Sequence, residues 1–258
     1  MLLIGDQNYR EHAAQAVLRD HEAGCLPRQT AYGGVLCAPP ASEHIRPLPE
    51  SEWKDRIRGM QGRFIGDLMR SAKIPCKDQG RLNYCWAYSL AACIEALRLT
   101  EGQPYVELAG ESLAGDVAYR NAGNSLDSAL AYAAEHGLSE RVAVPAYSLR
   151  TSEWQQGWKT DALLHRPLEW WDLDGEQVWA QTVTALLCGL PVYVGLAWWG
   201  HAVMYTGLAI ASDGEIVPEF RNSWGSDYGD DGYAQLSGRH KVPSRGSFVP
   251  RAATFSTR

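Results

Sequence analysis

A cysteine at the predicted start of a helix is the strongest chemical signal in this sequence. Cys85 is followed by Trp86, and apolar residues at helical spacing continue to Leu99. The positive end of a helix dipole favours thiolate over thiol, and thiolate is the form that attacks carbonyl carbon. The sequence therefore predicts a cysteine nucleophile at residue 85 with a lowered pKa.

The other polar groups that such a nucleophile needs are found elsewhere in the chain. His201 lies in an apolar run typical of a buried strand. Asn222 lies at the end of the next predicted strand, where a Gly-rich turn begins. A Gln79-Gly80 pair lies just outside the helix that begins at Cys85. Each motif alone is weak, but the four together predict a catalytic site.

These motifs resemble those of the papain-like cysteine peptidases, and the resemblance extends from about residue 48 to the C-terminal end. It implies that Cys85 is the nucleophile, His201 its imidazole partner and Asn222 the residue that orients the imidazole. It also implies that Gln79 and the backbone N–H of Cys85 form an oxyanion hole. Trp224 would shield the His–Asn hydrogen bond from water.

The resemblance further implies a substrate cleft with a defined set of contacts. The implied substrate-binding residues are Gly123, Asn124, Leu126, Gly195, Ala202 and Trp224. Leu126, Gly195 and Ala202 correspond to the pocket for the side chain one residue upstream of the cleaved residue. Because these three lack charge, we expect that pocket to prefer a large apolar side chain.

Several positions depart from the family pattern. Leu82 replaces a cysteine that commonly forms a disulfide bond, and Asn83 and Asn124 replace glycines. Asparagine tolerates positive φ better than most residues, so the backbone path is compatible with both changes. The segment between Leu196 and His201 is shorter than usual, which removes part of the expected cleft wall.

The order of the predicted elements indicates an α+β fold. Helices are predicted at 8–22, 55–71, 85–99, 125–135 and 177–188, and strands from residue 191 onward. We expect a papain-like two-lobe fold, with a helical lobe at about 53–145, an antiparallel β-barrel-like lobe at about 146–258, and the active-site cleft between them. Residues 1–44 form an N-terminal extension, and residues 45–258 form the peptidase domain.

Composition and charge argue against several other classes. The net charge is −6 without a Lys/Arg run, so no nucleic-acid partner is expected. The run 182–210 has no charge apart from that of His201, but Gly and Pro interrupt it at short intervals. It therefore predicts buried strands at 192–196 and 202–206, and no membrane partner.

The cysteines and histidines bear on metal binding and on the compartment. Five such residues in the extension lack the close paired ligands of structural zinc sites, so no metal or organic cofactor is expected; they are His12, His21, Cys25, Cys37 and His44. The six cysteines do not occupy the family's bridging positions, and an acid follows the first apolar residues. We therefore expect free thiols and a cytoplasmic location, with association with a virion or export by a dedicated system as alternatives.

The predicted reaction is hydrolysis of peptide bonds in a peptide or protein substrate, through a thioester acyl-enzyme. Two other functions stay open, since one fold serves several functions. The chain could be a structural or assembly subunit, for example of a phage particle or secretion machine, with an active or relict site and a partner bound through its N-terminal extension. It could also be an acyltransferase that uses the same nucleophile with an amine acceptor.

Overall fold

The computed structural model describes residues 1–18, 24–27, 46–117, 121–173 and 175–254. The α-helices are α1 (Tyr9–Leu18), α2 (Glu50–Met60), α3 (Ile65–Ser71), α4 (Cys85–Thr100), α5 (Gly110–Val117), α6 (Leu126–His136), α7 (Trp158–Ala162) and α8 (Val178–Leu187). The strands are β1 (Leu2–Ile4), β2 (Pro167–Asp172), β3 (Val192–Leu196), β4 (His201–Ile210), β5 (Ile216–Arg221), β6 (Tyr233–Leu236) and β7 (Ser247–Ala253).

The strands form one sheet in the order β1-β6-β5-β4-β3-β7-β2. Every neighbouring pair is antiparallel except β1 and β6, which run parallel. The predicted α+β fold is confirmed. The β lobe is an open mixed sheet rather than a closed barrel, because β1 and β2 lie at opposite edges and do not pair with each other.

Helices cover both faces of this sheet because side chains alternate along its central strands. Tyr193 and Met204 belong to the apolar cluster that contains α4 and α6. Val194 and Val203 belong to a second cluster, which contains residues of α2 and α8. The sheet is therefore a buried middle layer, and its strands are apolar on both sides, as the run 182–210 indicated.

The predicted helix at 55–71 is in fact two helices, α2 and α3. Gly62 adopts a φ of 76°, a left-handed conformation that interrupts the helix between them. Trp53 and Ile57 of α2 join the second cluster, whereas Ile65 and Met69 of α3 join the cluster around α4. Because of this break, the two halves of the predicted amphipathic helix pack on opposite sides of the sheet.

The remaining predicted elements are close to those observed. The strand β3 has the predicted bounds, and β4 continues beyond the predicted end to Ile210. Gly137, with a φ of 76°, follows the end of α6 as predicted. The sequence favours Asp174 as the N-cap of the helix predicted at 177–188, but this residue lies outside the described ranges, and Gln177 precedes α8. The helix α5 was not predicted.

The first residues of the predicted N-terminal extension form a strand of the sheet. Leu2 and Ile4 in β1 pair with Ala234 and Leu236 in β6. The side chain of Ile4 is fully buried in the second cluster. Within the described ranges, no helix has both the length and the apolar character needed to cross a membrane.

Two hydrogen bonds hold the first turns of α4 against the sheet. The Ser89 hydroxyl donates to the carbonyl of Ala202 over 2.9 Å, and the Tyr193 hydroxyl donates to the carbonyl of Trp86 over 2.7 Å. All four residues are buried. These bonds set the position of Cys85, the first residue of α4, relative to the strand that begins at His201.

A buried ion pair anchors the loop before α4 to the middle of that helix. Lys77 Nζ lies 2.6 Å from Glu95 Oε1, and the two side chains are 4% and 0% exposed. The ammonium also donates to the carbonyl of Leu108, and the Leu108 N–H donates to the same Glu95 oxygen. Burial raises the pKa of Glu95, and the adjacent Lys77 opposes that shift.

Replacing Lys77 should destabilise the fold strongly. Lys77→Met leaves Glu95 buried without its cation, which typically costs about 3–5 kcal/mol of unfolding free energy. Urea unfolding would measure this loss, with the exposed Lys54→Met as a control expected to change stability by less than about 0.5 kcal/mol. The double variant Lys77→Met/Glu95→Gln should recover part of the loss because no charge stays buried. Equal stability of Lys77→Met and Lys54→Met would contradict this account.

Candidate active site

Cys85 lies at the first residue of α4 and is completely buried. Burial raises the pKa of its thiol to about 11, and hydrogen bonds from the backbone of Ala202, Gly24 and Trp86 only partly offset this rise. The predicted lowering of this pKa is therefore wrong for the structure as it stands. The helix dipole and the backbone donors are present, but the loss of solvation outweighs them.

His201 and Asn222 are joined by a short hydrogen bond. His201 Nε2 lies 2.7 Å from Asn222 Oδ1, and the Ser223 N–H donates to the same oxygen over 2.8 Å. Because an amide oxygen only accepts, Nε2 must bear the hydrogen. Nδ1 is then the ring nitrogen that Asn222 does not engage, and Ala202, which follows His201, supplies a backbone hydrogen bond to the Cys85 thiol.

Two indole rings enclose the His201 imidazole. The ring centroids of Trp224 and Trp199 each lie 4.7 Å from that of His201, and both indoles are buried. Trp224 thus lies next to the imidazole, where the resemblance placed it. Trp199 was not among the predicted site residues; it lies in the turn between β3 and β4, two residues before His201.

Gln79 is fixed by the residue that follows Asn222. The Gln79 N–H donates to the Ser223 carbonyl over 2.8 Å, and the Ser223 hydroxyl donates to Gln79 Oε1 over 2.6 Å. The Gln79 side-chain nitrogen donates to the carbonyl of Leu82, in the turn before Cys85. The carboxamide is therefore oriented with its nitrogen toward that turn. Ser223 was missed from the sequence, and its position next to Asn222 was the signal.

A short piece of the N-terminal extension lies across the candidate cleft. We call residues 24–26 the covering segment. The Cys25 N–H donates to the carbonyl of Gly200 over 2.8 Å. Asn124 donates its N–H to the carbonyl of Gly24 and accepts from the Leu26 N–H, so the two chains form a parallel bridge. The backbone of Asn124, a predicted substrate-binding residue, is thus occupied by this chain itself.

The covering segment fits the cleft closely at Gly24. A Cβ on Gly24 would overlap the carbonyl oxygen of Asn83, and a Cβ on Gly123 would overlap that of Gly24. Both obstacles are backbone atoms, which cannot swing aside as a flexible side chain can. Only glycine therefore fits at position 24 in this arrangement.

The side chain of Cys25 lies against Gly195, one of the three residues predicted to line the specificity pocket. Its sulfur would lie 3.1 Å from a Cβ built on Gly195. Cys25, Leu126 and Ala202 belong to the same buried cluster as Cys85. The guanidinium of Arg245, a residue that the sequence did not single out, donates to the Cys25 carbonyl. All the predicted pocket residues are thus next to the covering segment or in its cluster.

The helix α1 covers the outer side of the two indoles. His12 lies edge-on to Trp199 at 5.0 Å between centroids and faces Trp224 at 6.5 Å. The nitrogen His12 Nε2 is 3.0 Å from the Tyr228 hydroxyl. The extension therefore contacts the candidate site on two sides, through α1 and through the covering segment.

One cluster among the described residues has the spacing of metal ligands. Ligand atoms of Glu140, Asp161 and His165 lie within 4.8 Å of one another. The structure already pairs these groups, since His165 Nε2 is 3.3 Å from Glu140 and Asp161 accepts from the Ser139 hydroxyl. Three of the five metal-ligand candidates in the extension, at positions 21, 37 and 44, lie outside the described residues. The expectation of no metal stays a prediction.

Sequence comparisons find similarity to two plant cysteine peptidases. No family model matches the chain. A thiol protease of Hemerocallis, SEN102, is 25% identical over 187 residues, which are 62% of this chain and 50% of that protein. The cysteine endopeptidase RepA of rice is 24% identical over 194 residues, or 65% of this chain and 50% of that protein. The matched region thus spans about half the length of either relative.

Solved structures share the fold. A digestive procathepsin L2 from the larval midgut of Tenebrio molitor superimposes with a TM-score of 0.65 at 17% identity, covering 92% of this chain and 79% of that one. At this identity the likeness establishes the fold alone. The two plant relatives add sequence similarity to cysteine peptidases. In fold and in sequence the chain is thus similar to the papain-like cysteine peptidases.

Proposed function

We propose that this chain is a cysteine peptidase that hydrolyses peptide bonds through Cys85, His201 and Asn222. The observation that most supports this is the 2.7 Å hydrogen bond from His201 to Asn222, which fixes the imidazole tautomer one residue before Ala202, whose backbone bonds to the Cys85 thiol. A buried thiol alone would be ordinary, because free cysteine is among the most buried residue types. A thiol next to an oriented imidazole has the parts of a nucleophile and its base.

The reaction would begin with proton exchange between the Cys85 thiol and His201 Nδ1. The thiolate attacks the substrate carbonyl, and the oxyanion receives hydrogen bonds from Gln79 and the Cys85 N–H. His201 then protonates the leaving amine, and water hydrolyses the thioester. Asn222 holds the imidazole orientation throughout, while Trp224 and Trp199 exclude water from its hydrogen bond. No step requires a metal or an organic cofactor.

In this proposal the structure represents a resting, covered state. Residues 24–26 occupy backbone and pocket positions that a substrate would need, and the buried thiol has a pKa of about 11. At neutral pH such a thiol is almost entirely protonated and therefore a poor nucleophile. Release of the covering segment would return water to the thiol and lower its pKa, because burial is the main cause of the rise.

A second candidate function also has an observation in its favour. The close fit of the covering segment suits a structural or assembly subunit whose site is permanently closed, with the extension serving as a fixed part of the fold. The same observation fits a peptidase that is covered until needed. The two differ in whether uncovering Cys85 produces hydrolysis, which the variants below address.

Cys85→Ala should abolish hydrolysis of a peptide substrate while leaving the fold intact, since it removes the attacking atom and little volume. Activity on a fluorogenic peptide library and unfolding by urea would measure the two effects. Cys93→Ala, at a buried position on the same helix, is the matched control and should keep catalysis. If both variants lost turnover equally and both stayed folded, Cys85 would not be the nucleophile.

Gln79→Ala should lower kcat about 10²–10³-fold with a smaller effect on KM, because the oxyanion exists only in the transition state. Steady-state kinetics would separate the two parameters. Ser223→Ala serves as a comparison, because it removes only the hydroxyl that orients Gln79 and should cause a smaller loss. A Gln79→Ala protein with normal kcat and raised KM would argue for a binding role instead.

Gly24→Ala should uncover the cleft, because its methyl group cannot fit against the Asn83 carbonyl. At a pH below the thiol pKa, each unit by which that pKa falls gives about ten times more thiolate. Cys85 should therefore react much faster with iodoacetamide at neutral pH in this variant. In the unchanged protein the labelling rate should keep rising toward pH 11. Gly59→Ala, where an added Cβ meets open space, is the control. Unchanged labelling of Cys85 in Gly24→Ala would refute the covered state. Fast labelling without peptide hydrolysis would favour the assembly role.

A further inference from the structure

The covering segment brings a second thiol next to the candidate nucleophile. The backbone of Gly24 hydrogen-bonds to the Cys85 thiol, and Cys25 is the next residue. Cys25 and Cys85 also each contact one of two residues that pair with each other across strands β3 and β4. Cys25 lies against Gly195, Cys85 is bonded to the backbone of Ala202, and Gly195 pairs with Ala202. Burial is the main cause of the raised pKa of Cys25, and a charge on the nearby Cys85 raises it further.

We propose that Cys25 and Cys85 form a reversible disulfide bond when the protein is oxidised, which locks the covering segment in the cleft. The site is a pair of thiols that the fold brings together, since one belongs to the extension and the other to α4. Its regulatory meaning rests on the proposed function, because the lock matters only if Cys85 is a nucleophile.

The other described cysteines are poorer partners for Cys85. Cys76 lies beside the carbonyl of Asn222, with its thiol directed at that oxygen over 3.4 Å. Cys93 lies on the same helix as Cys85, two turns further along, and Cys188 is exposed just after α8. Among the described cysteines, only Cys25 directly follows a residue from another segment, Gly24, whose backbone bonds to the Cys85 thiol.

The chemistry requires an oxidant, for which hydrogen peroxide suffices. When the covering segment lifts, the Cys85 thiolate attacks peroxide, which leaves a sulfenic acid on Cys85 and releases hydroxide. When the segment returns, the Cys25 sulfur attacks the sulfenic sulfur, the S–S bond forms and the sulfenic oxygen leaves as water. In total, two thiols and one peroxide give one disulfide and two waters. A dithiol such as dithiothreitol reverses the bond by exchange.

The disulfide between Cys25 and Cys85 also limits how far the oxidation of Cys85 proceeds. A sulfenic acid without a resolving thiol is oxidised further to sulfinic acid, which thiols do not reduce. With Cys25 beside it, the Cys85 sulfenic acid is converted to a disulfide first. The covering segment therefore protects Cys85 from irreversible oxidation as well as from substrate.

Peptide mapping by mass spectrometry of the full chain tests the proposal directly. The protein is treated with hydrogen peroxide, alkylated without reductant and digested. We expect a cross-linked peptide that contains Cys25 and Cys85, a loss of two thiols per chain, and recovery of both thiols after dithiothreitol. In Cys25→Ser, peroxide should instead drive Cys85 to a sulfinic acid that dithiothreitol does not restore. Cys188→Ser, which removes the exposed thiol, should behave like the unchanged protein.

Other outcomes would overturn the proposal. One is a link from Cys85 to Cys76 or Cys93, and another is equal conversion of Cys85 to sulfinic acid in the unchanged protein and in Cys25→Ser. Gly24→Ala provides a second check that keeps both thiols, and its yield of the cross-link should fall because the segment no longer fits. The mapping needs no peptidase activity. A cross-link in a protein that hydrolyses no peptide would therefore establish the disulfide and refute the proposed function. Peptide hydrolysis without a cross-link would support the proposed function and refute the disulfide.

Discussion

The packing of the first turns of α4 against strands β3 and β4 is the constraint on which the rest of the site depends. Tyr193 and Ser89 form hydrogen bonds across this interface while fully or almost fully buried, so the helix has little freedom to slide. In a close-packed interior such a shift would open voids and break satisfied polar groups. The interface therefore fixes the thiol of Cys85 beside the strand that begins with His201.

A second connection ties the base to the oxyanion donor. Ser223 donates its N–H to the side chain of Asn222 and its hydroxyl to that of Gln79. One residue thus orients the amide that holds the imidazole and the amide that would stabilise the oxyanion. Since both amides are buried, a single hydrogen-bonded network fixes their orientations. A substitution at Ser223 would therefore alter the orientation of both amides.

The N-terminal extension is structurally part of the domain. It supplies an edge strand through Leu2–Ile4, a helix that packs His12 on the indoles, and the covering segment over Cys85. The thiol of Cys85, to which the backbone of Gly24 bonds, is buried, and burial raises its pKa, opposite in sign to the shift expected from a helix N-terminus alone. The same contact that suppresses the thiolate also places a resolving thiol next to it.

The sequence by itself determined the α+β class, most helices and strands, and the identities of Cys85, His201, Asn222 and Gln79 as a candidate set. It did so because helical spacing, strand runs and short polar motifs are local patterns. The tertiary structure alone decided the break between α2 and α3, the roles of Ser223 and Trp199, and the open sheet. It alone placed residues 24–26 in the cleft, because those contacts join segments from about sixty to 220 residues apart and no local pattern encodes them. The thiol pKa was mispredicted for the same physical reason: desolvation depends on what covers a residue, and only the folded chain supplies the cover.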